Sequence, residues 1–238
     1  MLRMEHTGGL TGVAMAATRV PTFTLYGDGS VIYLPRDVSE QPGGGPELPP
    51  LRRATMPEEG VQALLRFALG QGRLLQAREQ YRADNVADAT STVFSIDAGG
   101  VRKQVDVYAL GESEPEGADR QDRLAFRQLA EVLGDFGAEV QRGQATDAGV
   151  YRAPAYRGLL EPAQGGFGEA RDWPFQTLSP EDFTPAPDFQ RPVALLPEAE
   201  ALRVSDTAYG GVIGVVLLGP DRAPYYFSMR PLLPDELP

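Results

Sequence analysis

The sequence predicts an α+β protein with antiparallel sheets built from hairpins, helices packed on one face, and two closely packed parts. Three observations lead there. Short runs of β-branched and aromatic residues alternate in polarity and are joined by glycine-containing turns. Single amphipathic helices separate pairs of these runs, a pattern that favours antiparallel sheets with helices on one side. The 238 residues include 21 prolines and 27 glycines, a content that points to many turns rather than long helices.

In chain order, residues 2–7 read as a strand, closed by a Gly8-Gly9 turn. Residues 10–17 have the apolar look of a leader segment, with small residues at Ala14 and Ala16. Glu5 and His6 stand where a leader carries basic residues, so an irregular lead into the next element is expected instead. The clearest hairpin follows over residues 21–34. Its Gly27-Asp28-Gly29 turn supplies residue types that tolerate positive φ, so Asp28 has a turn role before any chemical one.

Residues 35–51 carry Gln41-Pro42-Gly43-Gly44-Gly45-Pro46 and read as irregular. Thr55 and Glu58 have the spacing of a capping box, ahead of an apolar helix face at Val61, Leu64, Leu65 and Ala68. Gly70 and Gly72 end that helix. A polar connection then leads to two strands. Phe94 and Ile96 share a face of the first, and Val105, Val107 and Ala109 face inward on the second, with a turn over residues 97–100 between them. An acidic loop precedes a helix over residues 120–140, with a stripe at Ala125, Leu129, Val132, Leu133 and Phe136.

A seam over residues 141–148 divides the chain into parts 1–142 and 143–238, the second smaller and richer in strand. Residues 150–160 read as an edge strand, because Pro154 cannot donate to a central ladder. Past a Gly165-Gly166 loop lies Trp173, the single tryptophan. Ser179-Pro180-Glu181-Asp182 opens a short helical turn with proline first. A strand over residues 191–196, a short helix over 197–204 and a hairpin over 212–229 complete the part. Both parts pair hairpins with helices, but no residue-by-residue repeat aligns them.

Composition excludes several chemistries. The formal net charge is −11, with no Lys/Arg cluster, which argues against nucleic acid and against an anionic membrane surface as partners. The absence of cysteine removes disulfides, thiolate nucleophiles and cysteine-bound metals. His6 is the only histidine, so no pair of histidines within the chain can hold a metal, and no serine elbow accompanies it. No glycine-rich phosphate loop is present, and no apolar run reaches the length of a membrane-spanning helix.

The acidic pairs Glu58-Glu59 and Glu181-Asp182, and Glu198, fall at helix N-termini, where the helix dipole accounts for them. Asp84, Asn85 and Asp88 offer oxygen ligands but lack EF-hand spacing and read as a polar turn. Trp173 and Tyr225-Tyr226-Phe227 offer an aromatic surface for a glycan or peptide. Tyr225 and Phe227 share one strand face, which reads as core. No cofactor and no metal are expected.

Four segments are similar to an uncharacterised family of exported actinobacterial proteins, many of them lipoproteins. They are Leu2-Arg3-Met4-Glu5-His6-Thr7-Gly8-Gly9, Phe23-Thr24-Leu25-Tyr26-Gly27-Asp28-Gly29, Ala87-Asp88-Ala89-Thr90-Ser91-Thr92-Val93-Phe94 and Arg230-Pro231-Leu232-Leu233-Pro234. The resemblance implies a mature region behind an export signal and a lipid-bearing cysteine, and it implies no catalytic residue. This sequence contains no cysteine.

The expected function is that of a non-catalytic cell-envelope binding or scaffolding protein, with an envelope protein or a glycan as partner. The alternatives are a carboxylate-dependent hydrolase acting on cell-wall or sugar substrates, and a soluble cytoplasmic protein. Asp28, Asp88, Trp173 and Arg230 are the candidate binding residues.

Overall fold

The computed structural model of the chain describes residues 1–36, 46–83, 86–112, 117–164, 168–186 and 190–238. In chain order the elements are β1 (Leu2–Gly8), α1 (Val13–Thr18), β2 (Phe23–Leu25), β3 (Ser30–Tyr33), β4 (Arg52–Thr55), α2 (Glu58–Leu69), β5 (Gln80–Tyr81), β6 (Thr90–Ala98), β7 (Val101–Tyr108), α3 (Arg120–Gly134), α4 (Phe136–Gln141) and β8 (Thr146–Val150). There follow β9 (Ala155–Pro162), β10 (Ala170–Asp172), β11 (Thr184–Pro185), β12 (Pro192–Pro197), α5 (Glu198–Ala201), β13 (Val212–Leu218) and β14 (Pro224–Pro231). The result is an α+β fold dominated by sheet.

Two compact units emerge. The first comprises Met1–Thr11, Pro21–Glu40 and Leu51–Val150; the second comprises Gly12–Val20, Gln41–Pro50 and Tyr151–Pro238. This division differs from the expected 1–142 and 143–238. β8, which begins inside the expected seam, pairs with β4 and so belongs to the first unit. α1, early in the chain, packs against β13 and β14 of the second.

The first unit is an eight-stranded sheet in the order β5-β7-β6-β1-β2-β3-β4-β8. Its pairs are antiparallel except β5 with β7. Register places Leu2 opposite both Leu25 and Ile96, and Met4 opposite both Phe23 and Phe94. Phe94 in turn faces Val105. One apolar face therefore runs across the sheet, and Val61 and Ala68 of α2 with Phe126, Leu129 and Leu133 of α3 cluster with it. Each large side chain buried here contributes about 1.5–3 kcal/mol. The face assignments of Phe94, Ile96, Val105 and Val107 are as the alternation predicts. The β6–β7 connection is a two-residue Gly99-Gly100 turn, with φ of 60° and 78°, which suits the right-handed strand twist.

The second unit is a six-stranded sheet in the order β10-β13-β14-β9-β12-β11. β10 pairs parallel to β13, so each sheet is mixed rather than wholly antiparallel. Phe227 of β14 is fully buried against Phe175 and Phe183, with ring centroids 5.3 and 6.2 Å away. Phe227 is thus core, as the strand period implies for one face, while Tyr225 on the same face is only half-buried.

Several expectations are corrected. Residues expected as an irregular lead form α1, where three alanines in a six-residue helix favour the helical state. Thr55 ends β4 instead of capping α2, whose N-cap is Pro57. The long helix breaks at Asp135 (φ −109°, ψ 36°) into α3 and α4. The break follows Gly134, a poor helix former, and seats Phe136 5.1 Å from Phe23 and 5.2 Å from Tyr33.

β9 is no edge strand: it lies between β14 and β12. Pro154 precedes the strand and removes no ladder donor; its carbonyl accepts the Glu198 amide at 3.1 Å. The expectations at Gln41 to Gly45, at Asp84 and Asn85, at Gly165 and Gly166, and over part of the acidic loop at 113–116 lie outside the described residues.

Candidate functional site

The four candidate residues do not form one constellation. Asp28 and Asp88 both belong to the first unit. Asp28 sits in the β2–β3 turn, beyond the pairing of Leu25 with Leu2. Asp88 precedes Thr90, which pairs with Gly8 at the other end of β1. The length of that seven-residue strand, about 20 Å, separates them.

Asp28 acts locally. Its Oδ1 accepts from the Ser30 hydroxyl at 2.6 Å and the Ser30 amide at 2.9 Å. The hydroxyl first and the amide second hold its carboxyl below the usual aspartate range. Asp88 has φ of 56°, and its carbonyl accepts the Leu10 amide at 3.2 Å. Among the described residues no group of three or more His, Asp or Glu side chains is placed to hold a metal ion.

Trp173 and Arg230 belong to the second unit. The Trp173 ring lies 5.1 Å from Phe175 and 6.4 Å from both Phe183 and Tyr225, and its indole Nε1 donates to the Leu178 carbonyl at 2.7 Å. Its loop is anchored by Glu200, a carboxylate only 6% exposed. Glu200 accepts from the Gln176 amide at 3.0 Å, the Thr177 amide at 3.2 Å and the Thr177 hydroxyl at 3.0 Å. Burial pushes the Tyr225 phenol above its usual pKa, so it stays neutral beside Trp173. Arg230 lies five residues along β14 from Tyr225, about 17 Å away and on the opposite sheet face.

Around Arg230 the structure assembles a site whose other members sequence reasoning missed. Register places Arg157 of β9 directly opposite Arg230, and Leu195 of β12 directly opposite Arg157. Directly opposed like charges destabilise a sheet unless something compensates them. Part of the compensation is visible. Arg230, 5% exposed, donates to Glu236 through Nη1 at 2.7 Å and Nη2 at 2.9 Å, and Nη1 also reaches the Pro231 carbonyl at 3.0 Å. Glu236 is fixed in turn by the Leu233 amide at 2.9 Å. The Arg157 Nη2 reaches the Ala17 carbonyl at the end of α1, at 3.5 Å.

Above this row opens a cavity of about 390 Å³, walled by Val193, Leu195 and Leu232 and charged by Arg157, Arg230 and Glu236. Its charged lining residues are Arg157, Arg230 and Glu236, on a chain of net charge −11. The volume suits a small organic ligand, and the lining joins apolar walls to a few convergent charges. No sequence signal joins Arg157 to Arg230, because their pairing exists only once β9 and β14 lie side by side.

The first unit has a larger open hollow of about 680 Å³ along β5, β6 and β7, lined by Gln80, Ser95, Asp97, Arg102, Gln104 and Asp106 among others. Its charges largely satisfy one another: Arg102 contacts Asp97 at 2.6 Å through Nη2 and donates through Nε at 2.8 Å. Asp106 Oδ1 is buried there without a hydrogen-bond partner.

Residues 2–9, 23–29 and 87–94 fall on the adjacent strands β1, β2 and β6, and residues 230–234 begin at Arg230. No family model, no curated protein and no solved structure matches the chain.

Proposed function

We propose that the chain is a non-catalytic binding protein that takes a small anionic ligand in the second unit. The observation that supports this reading is the Arg157–Arg230 cross-strand pair at the base of an apolar-walled cavity. A guanidinium presents its N–H groups in a planar fork suited to oxyanions, and partial burial strengthens each such contact. The strongly acidic chain repels anions in general, so retention at this arginine pair would be selective. The four resembling segments favour a cell-envelope setting for the activity.

Isothermal titration calorimetry tests the reading with hexanoate and inorganic phosphate against hexylammonium and hexanol. Saturable binding of an anion, weakened at least tenfold in Arg157→Gln with the melting temperature retained, is expected. Equal response to hexanol and hexylammonium, or no binding of either anion, would refute it.

A further inference from the structure

The hollow of the first unit carries polar groups that its own sheet does not use. Three successive cross-strand pairs of β6 and β7 share one face: Asp97 opposite Arg102, Ser95 opposite Gln104, and Val93 opposite Asp106. It is the face turned away from Phe94, Ile96, Val105 and Val107 of the core. The first pair is closed, with Arg102 on the Asp97 carboxylate through Nη2 at 2.6 Å and Nε at 2.8 Å. The second is open: among the described residues neither the Ser95 hydroxyl nor the Gln104 side-chain amide has a hydrogen-bond partner. The third is mismatched. Val93, 4% exposed, offers Asp106 no donor. Gln80, opposite Asp106 on its other side, uses its Oε1 to accept from Arg82 at 3.0 Å. The Asp106 Oδ1 is left buried with no partner among the described residues. A buried acceptor left unmet is costly, and folded proteins keep few of them.

We infer that this hollow binds a neutral polyhydroxylated ligand, a sugar of about disaccharide size, held by Ser95, Gln104 and Asp106. The site lies in the first unit and does not depend on the arginine cavity of the second. Its volume of about 680 Å³ falls within the range of small-molecule sites. The unmet groups set the ligand class. A hydroxyl both donates and accepts, so neighbouring hydroxyls of one sugar can donate to Asp106 while exchanging bonds with Gln104 and Ser95. An anion would sit beside the Asp97 and Asp106 carboxylates. A cation would satisfy Asp106 alone and lie beside the Arg102 guanidinium. A neutral polyol meets neither repulsion. The three residues stand on paired strands, so little backbone ordering is left for the ligand to impose.

The test uses the whole chain and isothermal titration calorimetry with maltose, cellobiose and trehalose, and with putrescine as the cationic comparison. At least one disaccharide is expected to bind saturably. Gln104→Ala and Asp106→Ala are each expected to weaken that binding at least tenfold, while Arg157→Gln, in the other unit, leaves it unchanged. Should Asp106→Ala melt at assay temperature, Gln104→Ala decides alone, since the Gln104 side chain is exposed. Disaccharide binding that survives Gln104→Ala unweakened overturns the site. Putrescine binding that Gln104→Ala weakens, with no disaccharide bound, overturns the ligand class. Failure of all three sugars to bind refutes the inference and leaves the anion reading of the arginine cavity untouched.

Discussion

A Cβ on Gly29 would stand 2.5 Å from the Met56 carbonyl oxygen, while the Gly29 carbonyl accepts the Met56 amide at 2.8 Å. The β2–β3 turn and the chain entering α2 thus approach each other through a space only glycine fits, at φ of +80°. Gly29→Val is expected to destabilise the protein by at least about 2 kcal/mol. Gly27→Ala, where a Cβ meets nothing within 4 Å, serves as the control and should be near neutral. Urea midpoints followed by circular dichroism decide it; equal midpoints for the two variants would contradict the packing described.

Asp28 makes a pH-dependent contribution of known sign. The Ser30 hydroxyl and amide lower its carboxyl pKa in the folded state, so the stabilisation is present above the ordinary aspartate value of 3.8. It is lost as pH falls from there through the lowered value. Asp28→Asn keeps an oxygen acceptor and should lie within about 0.5 kcal/mol of wild type at pH 7. Between pH 5 and pH 2 the variant should lose less stability than wild type. Parallel melting curves across that range would show that the turn draws nothing from the charge.

Glu200 holds the loop that carries the single tryptophan. Glu200→Gln turns one acceptor into an amide donor facing the Gln176 or Thr177 N–H groups, at an expected cost of about 1–3 kcal/mol. Trp173 emission reports the consequence without a label and should shift to the red as its loop loosens. An unchanged emission maximum together with an unchanged melting temperature would remove Glu200 from its anchoring role.

Arg123 of α3 is 4% exposed and donates to the Tyr108 carbonyl at 3.1 and 3.2 Å and the Arg82 carbonyl at 2.8 Å. Burial lowers its pKa. A lysine ammonium cannot reproduce the planar fork, so Arg123→Lys should cost about 1–2 kcal/mol. Arg123→Met leaves both carbonyls unmet and should cost more. Thermal unfolding ranks the two, and a methionine variant as stable as wild type would sink the assignment.

The strands that alternate cleanly were legible. Phe94 and Ile96 against Val105 and Val107 could be placed on a face from period alone, while the turn expected over residues 97–100 narrows to Gly99-Gly100 because Asp97 and Ala98 stay paired in β6. β4 was not, because Arg52-Arg53-Ala54-Thr55 shows no apolar alternation and is recruited by β3 and β8 on either side. α1 was missed because its role depends on β13 and β14, near the other end of the chain. Pro154 misled because a proline just before a strand and one within it look alike in sequence. At the candidate site, Arg230 was flagged but Arg157 was not, since a cross-strand neighbour is a property of register.

The interleaving of the two units has a consequence for the order of synthesis. Residues 12–20 leave the ribosome well before the strands that shelter them, β13 and β14. The first unit has all its strands once Val150 emerges; the second waits for β14. Contacts of such long sequence separation slow folding and leave unfinished chains open to misassembly. A nascent chain arrested at Val150 would therefore carry one completed sheet and, projecting from it, helix and loop segments that have nothing yet to fold upon.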